Sequence, residues 1–573
     1  MLSIRRRAVP AATVNLGAEL HPVLQRVYAA RGILARDQLQ LGLERLHPVG
    51  SLPGTDAAAQ LLARHRARRV LIIGDFDADG ATSTALMVRA LRAWGFAAVD
   101  FLVPNRFEYG YGLTPEIVAV AAQRAPTLIV TVDNGIYSNA GVTAARARGI
   151  DVLITDHHLA GAELPAAQVI VNPNLPSSPF ASRALAGVGV AFYVCAALRR
   201  QLELEGVLPA AALPTAALLD LVALGTVADV VPLDANNRIL VAQGLARIRA
   251  GRCAAGLTAL LAVARRDAAE ACAADLGFAV APRLNAAGRL TDMSIGIRCL
   301  LCDEPAEART LAVELDALNA QRREIEADMQ LKALAAVRSL LDPLSTVQRA
   351  GVCLYDATWH QGVVGLVASR VKEKLRRPVI AFALADERTL RGSARSVAGV
   401  HVRDVLEAIA TREPGLVEKF GGHAMAAGLS LPLANLDRFA RAFDAEVLRA
   451  TAGQALSDAI ETDGELAWND IALPLAEALR SGGPWGAGFP EPLFDGPFEV
   501  RGARIVGDRH LKFQVLAEEG RGGFEAIAFN SIDPARPGPL PVGPRRLVYR
   551  LGTNDYGGER RLQLMVEHIL VAA

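Results

Sequence analysis

The sequence predicts an α/β protein of several domains with a β-rich C-terminal region, and three observations support this fold class. Between residues 69 and 155, short β-branched runs alternate with Ala-rich helical stretches, which is typical of βαβ units and a mostly parallel sheet. The same alternation begins again after residue 342. From residue 456 onward, β-type runs alternate with turn residues, which indicates a small barrel or sandwich.

The elements follow from these patterns in chain order. Residues 1–65 contain amphipathic helical pieces, and residues 183–250 are largely helical in pattern. A long polar stretch with no Gly or Pro between residues 306 and 342 predicts a helix that connects two domains. The predicted boundaries are 1–65 for an N-terminal helical segment, 66–303 for the first α/β domain, 304–341 for the connecting helix, 342–450 for a smaller α/β domain and 451–573 for the β region.

Composition excludes several classes of protein. Lys and Arg number 61 against 60 Asp and Glu, so any surface that binds nucleic acid must be local. Six cysteines in 573 residues argue against a disulfide scaffold. The most apolar stretch, residues 184–198, is shorter than the ~20 residues that a bilayer requires, and we expect a core helix there. No secretory signal pattern follows the N-terminal arginines, so we expect a soluble protein.

The stretch IIGDFDADG carries three aspartates at alternate positions, Asp75, Asp77 and Asp79. In an extended segment, alternate residues face the same side. Crowded carboxylates raise the pKa of one another unless a cation neutralises them, which suggests a metal site. The alternative is a solvated turn in which one carboxylate caps a helix.

Two further predicted strands end in metal-binding residue types. One strand ends at Asp133, and the next ends in Asp156-His157-His158. Ligands of open α/β sheets bind outside the carboxyl ends of the strands, so we expect these side chains to converge. Mixed oxygen and imidazole donors suit manganese, iron or zinc better than calcium.

A further carboxylate lies in the apolar stretch DLVALGTVADVVPL, where an unpaired charge would be costly to bury. Asp220 and Asp229 are the two candidates, with a helix cap or a buried ion pair as the alternative for either. We favour Asp229, because it follows the helical run at a predicted turn.

These stretches, taken together, resemble a known family. GDFDADG, VDNG, TDHH and GTVADVVPL, in that order, resemble the four motifs of the DHH phosphoesterase superfamily. RGSARS and FGGHAMAAG resemble its DHH-associated domain. RLNAAGRL, WHQGVVGLVASR and PWGAGFPEPLF resemble the branch that degrades single-stranded DNA in the 5′→3′ direction. The tyrosine often found between the first two aspartates is Phe76 here.

The resemblance implies a parallel-sheet DHH domain, a smaller α/β DHH-associated domain for substrate binding, a connecting helix and a C-terminal OB-like barrel that binds nucleic acid. It implies two divalent metal ions, with manganese favoured over magnesium. The implied ligands are Asp75, Asp77, Asp79, Asp133, His157 and Asp229. Asp133 would bridge both metals and His158 would lie closer to substrate, and these two are the implied catalytic residues.

The resemblance also implies a set of substrate-binding residues. The phosphate clamps would be Arg391, Ser393, Arg395, Gly421, Gly422 and His423. The candidates for holding a 5′-phosphate are Arg106, Arg283 and Arg289. Phe107, Tyr109 and Tyr111 are candidates for base stacking. The alternatives are a tight turn at the glycines, ion-paired surface arginines and aromatic side chains in the core.

The implied function is a metal-dependent 5′→3′ exonuclease that degrades single-stranded DNA to nucleoside 5′-monophosphates in DNA repair and recombination. We expect a monomer in the bacterial cytoplasm, associated with the nucleoid and not with a membrane. The implied partners are single-stranded DNA with a 5′ end, a single-strand-binding protein and a RecQ-type helicase. The alternatives are a small-substrate phosphoesterase, such as a nano-oligonucleotide or cyclic-dinucleotide phosphodiesterase or a pyrophosphatase, and a scaffold that has lost its metal ligands.

Overall fold

A computed structural model describes the chain over nine ranges. These are residues 3–10, 16–105, 112–338, 349–451, 459–507, 509–516, 522–532, 538–554 and 559–571. The contacts divide the chain into two compact units. The larger unit holds residues 3–288, 292–314 and 460–573, and the smaller unit holds residues 289–291 and 315–459.

The larger unit is built around a parallel sheet preceded by a short strand and two helices. The elements in chain order are β1 (Ser3–Arg6), α1 (Pro22–Ala29), α2 (Thr55–Arg64), β2 (Arg69–Ile73), α3 (Ala78–Ala93), β3 (Ala98–Leu102), α4 (Pro115–Ala122), β4 (Leu128–Val132), α5 (Asn139–Arg146), β5 (Asp151–Thr155) and β6 (Val169–Val171). The strand order is β3-β2-β4-β5-β6, and every pairing is parallel. β2 and β4 are almost entirely buried, as expected for strands covered by helices on both faces.

A largely helical region follows the sheet and covers it. Its helices are α6 (Gly187–Leu204), α7 (Leu219–Ala228), α8 (Ala235–Arg249), α9 (Ala255–Val263), α10 (Ala273–Asp275), α11 (Ala281–Leu290) and α12 (Ser294–Leu301). Helix α13 (Pro305–Ala336) follows, with residues 305–314 in the larger unit and 315–336 in the smaller unit. α3, α6 and α7 pack against one another. The apolar stretch at residues 184–198 lies mainly in α6 and is buried, which confirms the predicted core helix. None of the described helices is long and apolar enough to cross a membrane.

The long polar stretch forms α13, a helix of 32 residues, as the sequence predicts. The smaller unit continues with β7 (Val352–Tyr355), α14 (Val364–Leu375), β8 (Val379–Leu384), β9 (Thr389–Arg395), α15 (Val402–Arg412), β10 (Lys419–Gly422), β11 (Ala426–Pro432) and α16 (Leu436–Ala450). Its sheet has the order β10-β11-β9-β8-β7, with only β7 and β8 parallel among the described pairs. Side chains alternate along β9, so Arg391, Ser393 and Arg395 share the face opposite the buried Leu390 and Ala394.

A closed five-stranded barrel ends the larger unit. β12 (Ala459–Thr462) and α17 (Leu473–Ser481) precede it, and its strands are β13 (Phe494–Val506), β14 (His510–Leu516), β15 (Gly523–Ala528), β16 (Gly543–Asn554) and β17 (Arg561–Val571). β12 pairs with β1, so the predicted helical N-terminal segment begins with a strand instead. This strand depends on a partner at the far end of the chain, and no local pattern predicts it.

Candidate metal centre

The acidic residues predicted from the sequence converge at the carboxyl ends of β2, β4 and β5. Asp75 lies two residues beyond β2, and Asp133 and Asp156 directly follow β4 and β5. The register aligns these ends, because the Asp133 N–H donates to Thr155 O at 3.0 Å. The sheet edge therefore delivers the carboxylates to one place, as expected for a parallel sheet.

The first aspartate loop turns tightly into α3. Asp77 caps this helix by accepting the Gly80 N–H at 3.0 Å, so the helix-cap alternative also holds for this carboxylate. The loop needs glycine at position 80, because a Cβ there would lie 2.6 Å from Asp75 N and Asp75 O. Asp79 is buried in the first turn, where its carboxylate accepts the N–H groups of Gly187 at 2.6 Å and Val188 at 2.9 Å.

Asp133 is held in an unusual backbone conformation. Its φ is +61°, which side chains other than glycine seldom adopt and which is often found at functional sites. The start of α6 lies directly against it, since a Cβ on Gly187 would be 2.6 Å from Asp133 Cβ. The backbone around Asp133 therefore fixes the direction of its carboxylate.

The two histidines face different carboxylates. His157 Nε2 lies 3.1 Å from Asp133 Oδ1 and 3.5 Å from Asp229 Oδ2. His158 Nδ1 lies 2.7 Å from Asp156 Oδ1. Asp156 is buried and also accepts backbone N–H groups from residues 136, 157 and 158. Sequence reasoning did not assign Asp156 a role, although its place before two histidines at a strand end was a usable signal.

Three overlapping groups of side chains could each hold a metal ion. Within each group, one potential ligand atom per residue lies within 4.8 Å of the others. The groups are Asp75, Asp77 and Asp133; Asp79, His157 and Asp229; and Asp133, His157 and His158. Asp133 and His157 each belong to two groups. The structure thus brings together the six predicted ligands and His158.

The electrostatics of the cluster show crowded, poorly solvated carboxylates. Burial, followed by the charges of neighbouring acids, raises the pKa of Asp79 to about 7 and the pKa of Asp133 well above its ordinary value. Burial and the charge of Asp77 raise the pKa of Asp229 to about 7. Such acids are costly to ionise in isolation, and a divalent cation would remove that cost.

The histidines are perturbed in opposite directions. Burial and the positive charge of His158 lower the pKa of His157, which favours the neutral imidazole that ligates metals. Burial also lowers the pKa of His158, but the hydrogen bond to Asp156 and nearby carboxylates outweigh it and raise the pKa to about 9. His157 therefore suits the role of ligand, and His158 suits that of a cationic donor.

The donor set fits a divalent metal. His157 Nε2 and Asp229 Oδ2 are buried and make no hydrogen bond among the residues that the structure describes. Buried polar atoms of this kind need an explanation, and an ion between them would provide one. The combination of several carboxylate oxygens with imidazole nitrogen matches borderline metals such as manganese.

Helix α11, which carries the RLNAAGRL motif, packs on the aspartate loop. Asn285 Oδ1 accepts the Ala78 N–H at 2.8 Å, and a Cβ on Gly288 would lie 1.8 Å from Phe76 O. Asn285 is a supporting residue that sequence reasoning missed, although it lies in a motif that was recognised. Arg283 lies on the same helix and donates to Ala279 O at 2.5 Å.

The predicted phosphate clamps belong to the smaller unit. Arg395 Nη1 donates to Ser393 Oγ at 2.9 Å, and Arg391 Nη1 donates to Gln361 Oε1 at 3.3 Å. The start of α14 packs closely on them, because a Cβ on Gly365 would lie 2.8 Å from Arg395 Nη2. These three predicted side chains therefore share one face of β9.

The remaining substrate-binding predictions have separate locations. Arg289 Nη1 donates to Gly362 O at 3.1 Å within the smaller unit. Gly421 and Gly422 end β10, where Gly422 has a φ of +142°, and the His423 N–H donates to Ala426 O at 2.8 Å in a tight turn. Arg106 and the aromatic residues Phe107, Tyr109 and Tyr111 lie outside the described residues.

Three family models match the chain along its length. The DHH family N-terminal domain matches residues 69–226, the DHHA1 domain matches 347–448 and the RecJ OB domain matches 462–568. The chain is 52% identical over 571 residues to the single-stranded-DNA-specific exonuclease RecJ of Dickeya dadantii, covering 99% of this chain and 98% of that protein. It is 51% identical over 573 residues to RecJ of Escherichia coli, covering 99% of each chain.

The chain belongs to the RecJ family of single-stranded-DNA-specific exonucleases. Solved RecJ structures support the fold at lower identity. The crystal structure of Thermus thermophilus RecJ in complex with Mn²⁺ is 31% identical with a TM-score of 0.76, covering 97% of this chain and 76% of that chain. The same protein in complex with Mg²⁺ is 29% identical with a TM-score of 0.72, covering 97% and 75%. The predicted DHH domain, DHH-associated domain and OB-like barrel are confirmed as parts of the fold.

Proposed function

We propose that this chain degrades single-stranded DNA from its 5′ end, releases nucleoside 5′-monophosphates, and serves DNA repair and recombination. One observation carries the proposal. The five carboxylates and two histidines of the metal centre converge at one sheet edge in a chain that aligns end to end with RecJ exonucleases. The exonuclease class follows from the family, and the direction and products are the finer steps proposed here.

The centre is proposed to hold two divalent ions, with manganese favoured and magnesium as the second choice. The sharing of Asp133 between two of the three ligand groups supports a bridging role for this carboxylate. The imidazole donor His157 favours manganese over magnesium, which prefers oxygen ligands. When bound, such ions lower the pKa of a water molecule and neutralise charge on phosphoryl oxygens.

The protein's own groups would orient and stabilise the reacting phosphodiester. Asp133 and the other ligands would fix the positions of the ions relative to the strand. His158, whose ring is held by Asp156, would donate a hydrogen bond to a non-bridging phosphate oxygen and stabilise the charge that develops there. Attack of a water oxygen on phosphorus would break the P–O3′ bond. The phosphate would stay on the new 5′ end of the remaining strand, and the released nucleotide would keep the 5′-phosphate that it already carried.

The substrate would be held by groups that match phosphate. Arginine presents a planar fork of donors to phosphate oxygens, and glycine lets the backbone approach closely. The proposed clamps are Arg391, Ser393, Arg395, Gly421, Gly422 and His423, and the proposed 5′-phosphate contacts are Arg106, Arg283 and Arg289.

Family membership also suggests the cellular setting. We propose a monomer that acts in the bacterial cytoplasm at the nucleoid. We propose a single-strand-binding protein and a RecQ-type helicase as its partners.

A long 5′-phosphorylated single strand, labelled at its 5′ end, tests the proposal. With manganese, the native chain should release labelled mononucleotide early, and Asp133→Ala should not. Release of label only after internal cuts, or labelled products longer than one nucleotide, would refute the proposed direction and product.

The small-substrate alternative predicts a different result in the same assay. A small-substrate enzyme would leave the long strand intact and hydrolyse dinucleotides or pyrophosphate. This alternative is not favoured, because the RecJ OB domain and the end-to-end relatives are features of the exonuclease branch. A scaffold that has lost its ligands is disfavoured by the complete set of carboxylates and histidines.

A further inference from the structure

A phenylalanine ring is exposed on the helix beside the metal centre. Phe278 lies in a π-helical turn (Leu276–Val280) between α10 and α11, and 87% of its surface is exposed. Its neighbours Leu276, Ala279 and Val280 are buried, so the turn itself is well packed while the ring points outward. π-helical turns inside helices occur frequently at functional sites, where the extra residue redirects a side chain.

The π-helical turn packs on the end of α7, next to a proposed metal ligand. A Cβ on Gly277 would lie 3.1 Å from Val227 Cγ1, and Val227 is two residues before Asp229. The Val230 N–H donates to Val227 O at 3.3 Å. The base of the Phe278 side chain is therefore anchored beside the turn that carries Asp229.

Val230 adds a second exposed apolar side chain at this place. It is 68% exposed, and its φ of +62° is strained for a β-branched residue. A strained backbone that persists at a site indicates that the surrounding structure holds it there for a reason. Val230 directly follows Asp229, which lies in the cluster, and its own side chain lies at the surface.

The other end of the same helical segment contacts the aspartate loop. Asn285 accepts the Ala78 N–H, and Gly288 packs against the Phe76 carbonyl. The segment from the π-helical turn to the end of α11 thus touches the metal centre on two sides, at α7 and at the aspartate loop. Phe278 is fixed relative to the metal ligands by both contacts.

The nucleobase of a bound strand needs an apolar surface that the metal centre does not provide. Carboxylates, histidines and metals act on the phosphodiester and offer nothing to the nucleobase. An aromatic ring binds any base through its π-face, which suits a nuclease that must hold every sequence. A large exposed aromatic ring beside a charged site has no evident role in packing the core.

We propose that Phe278 forms a stacking platform for a nucleobase next to the cleaved phosphodiester. The proposal rests on the proposed function and adds a base subsite to the same centre. Its ligand is a nucleobase of single-stranded DNA, without preference among the four bases. The contribution is to strand binding, so Phe278 positions the substrate and takes no part in the chemistry.

Steady-state kinetics on a 5′-phosphorylated single strand test the platform. Phe278→Ala should raise KM about 5- to 150-fold, the value of one base–aromatic stack, with a much smaller change in kcat. Phe278→Trp should restore KM to within a few-fold of the native value. Leu204→Ala is the matched control, because this apolar side chain is 79% exposed at the end of α6 and should leave both constants unchanged.

An abasic scan separates stacking from a general disturbance. Strands with one abasic residue, moved through the first positions, should show one position at which the native chain loses affinity. At that position Phe278→Ala should lose nothing further, because the ring and the base contribute the same interaction. A structural role for Phe278 would instead lower affinity by the same factor for every strand.

Two results would overturn the platform. In the first, Phe278→Ala has the same KM as the native chain on every strand. In the second, an abasic residue lowers the affinity of Phe278→Ala as much as it lowers that of the native chain, at every position. Native activity on single strands together with either result would remove the platform and leave the proposed function intact. Absence of activity of the native chain on any single strand would remove both.

Discussion

Replacing Asp133 by asparagine should change thermal stability in opposite directions with and without metal. The substitution keeps the size of the side chain and removes one negative charge from the most crowded part of the centre. Asp133 is a member of two of the three ligand groups, and burial and neighbouring acids raise its pKa. Without metal, the native carboxylate is repelled by its neighbours, and with metal it becomes a ligand.

The structure sets the size of both effects. The ligand atoms of Asp75, Asp77 and Asp133 lie within 4.8 Å of one another. Two like charges about 5 Å apart in a medium of effective dielectric constant about 20 repel by about 3 kcal/mol. Attraction to the histidines offsets part of this, so we expect the metal-free variant to be more stable by about 1–3 kcal/mol. Native protein at 1,000 times the Kd for metal should gain about 4.1 kcal/mol, and the variant, which keeps only the ligand group without Asp133, should gain much less.

Thermal melts with EDTA and with manganese measure both effects. The Tm of Asp133→Asn should lie a few degrees above the native Tm in EDTA and below it at saturating manganese. Asp100→Asn is the matched control, because Asp100 lies in β3 and makes an exposed ion pair with Arg124. This control should keep the native response to manganese.

Two outcomes would contradict the reasoning about Asp133. If manganese raises the Tm of Asp133→Asn as much as that of the native chain, Asp133 is not a ligand. If the metal-free variant melts below the native chain, repulsion among the carboxylates does not dominate at this position.

Three further predictions test other parts of the structure. Gly187→Ala should displace the Asp133 carboxylate, because the new Cβ would lie 2.6 Å from Asp133 Cβ. Calorimetry should then show manganese affinity reduced at least tenfold, while the circular dichroism spectrum stays native. Arg31→Met should lower the free energy of unfolding, measured with denaturant, by about 3–5 kcal/mol. It leaves Asp463 buried without the two hydrogen bonds of 2.6 and 2.9 Å that Arg31 donates to its carboxylate. The second change Asp463→Leu should recover most of that loss. Burial raises the pKa of Asp495, but hydrogen bonds from two arginines and a threonine outweigh burial and lower the pKa below its ordinary value of 3.8. The ionised carboxylate therefore stabilises the fold above pH 3.8, and this stabilisation is lost as the pH falls through the lowered pKa. Asp495→Asn should therefore lower the Tm at pH 7, and the difference from native should shrink below pH 3.8.

The parts of the site that sequence could predict depend on local patterns. The β-branched runs, the acids that follow them and the long helix with no Gly or Pro after Pro305 all depend on near neighbours in the chain. The order of the strands places their ends together, so Asp133 and His157 could be predicted to meet. Asp229 lies in the cluster, at the end of a helical run that is visible in the sequence. Asp220 instead accepts the Ala254 N–H at 2.7 Å, away from the cluster.

The parts that sequence missed depend on distant partners. Strand β1 forms because β12 supplies its partner. Asn285 supports the aspartate loop through a hydrogen bond that spans more than 200 residues of chain. The exposure of Phe278 follows from a π-helical turn, which has no clear sequence signature. Asp156 differs from these, since its role follows from adjacent histidines and could have been assigned from the motif.

The repulsion among the carboxylates also explains how the scaffold around them is built. Asp79 accepts two N–H groups from the start of α6, and Asp77 accepts one from the start of α3. Helix N-termini carry partial positive charge, so both helices stabilise carboxylates that repel one another. These bonds use some carboxylate lone pairs and leave others directed at the cluster. The fold thus holds the acids in place for a cation at some cost in stability, which is why removing one charge should stabilise the metal-free protein while weakening its response to metal.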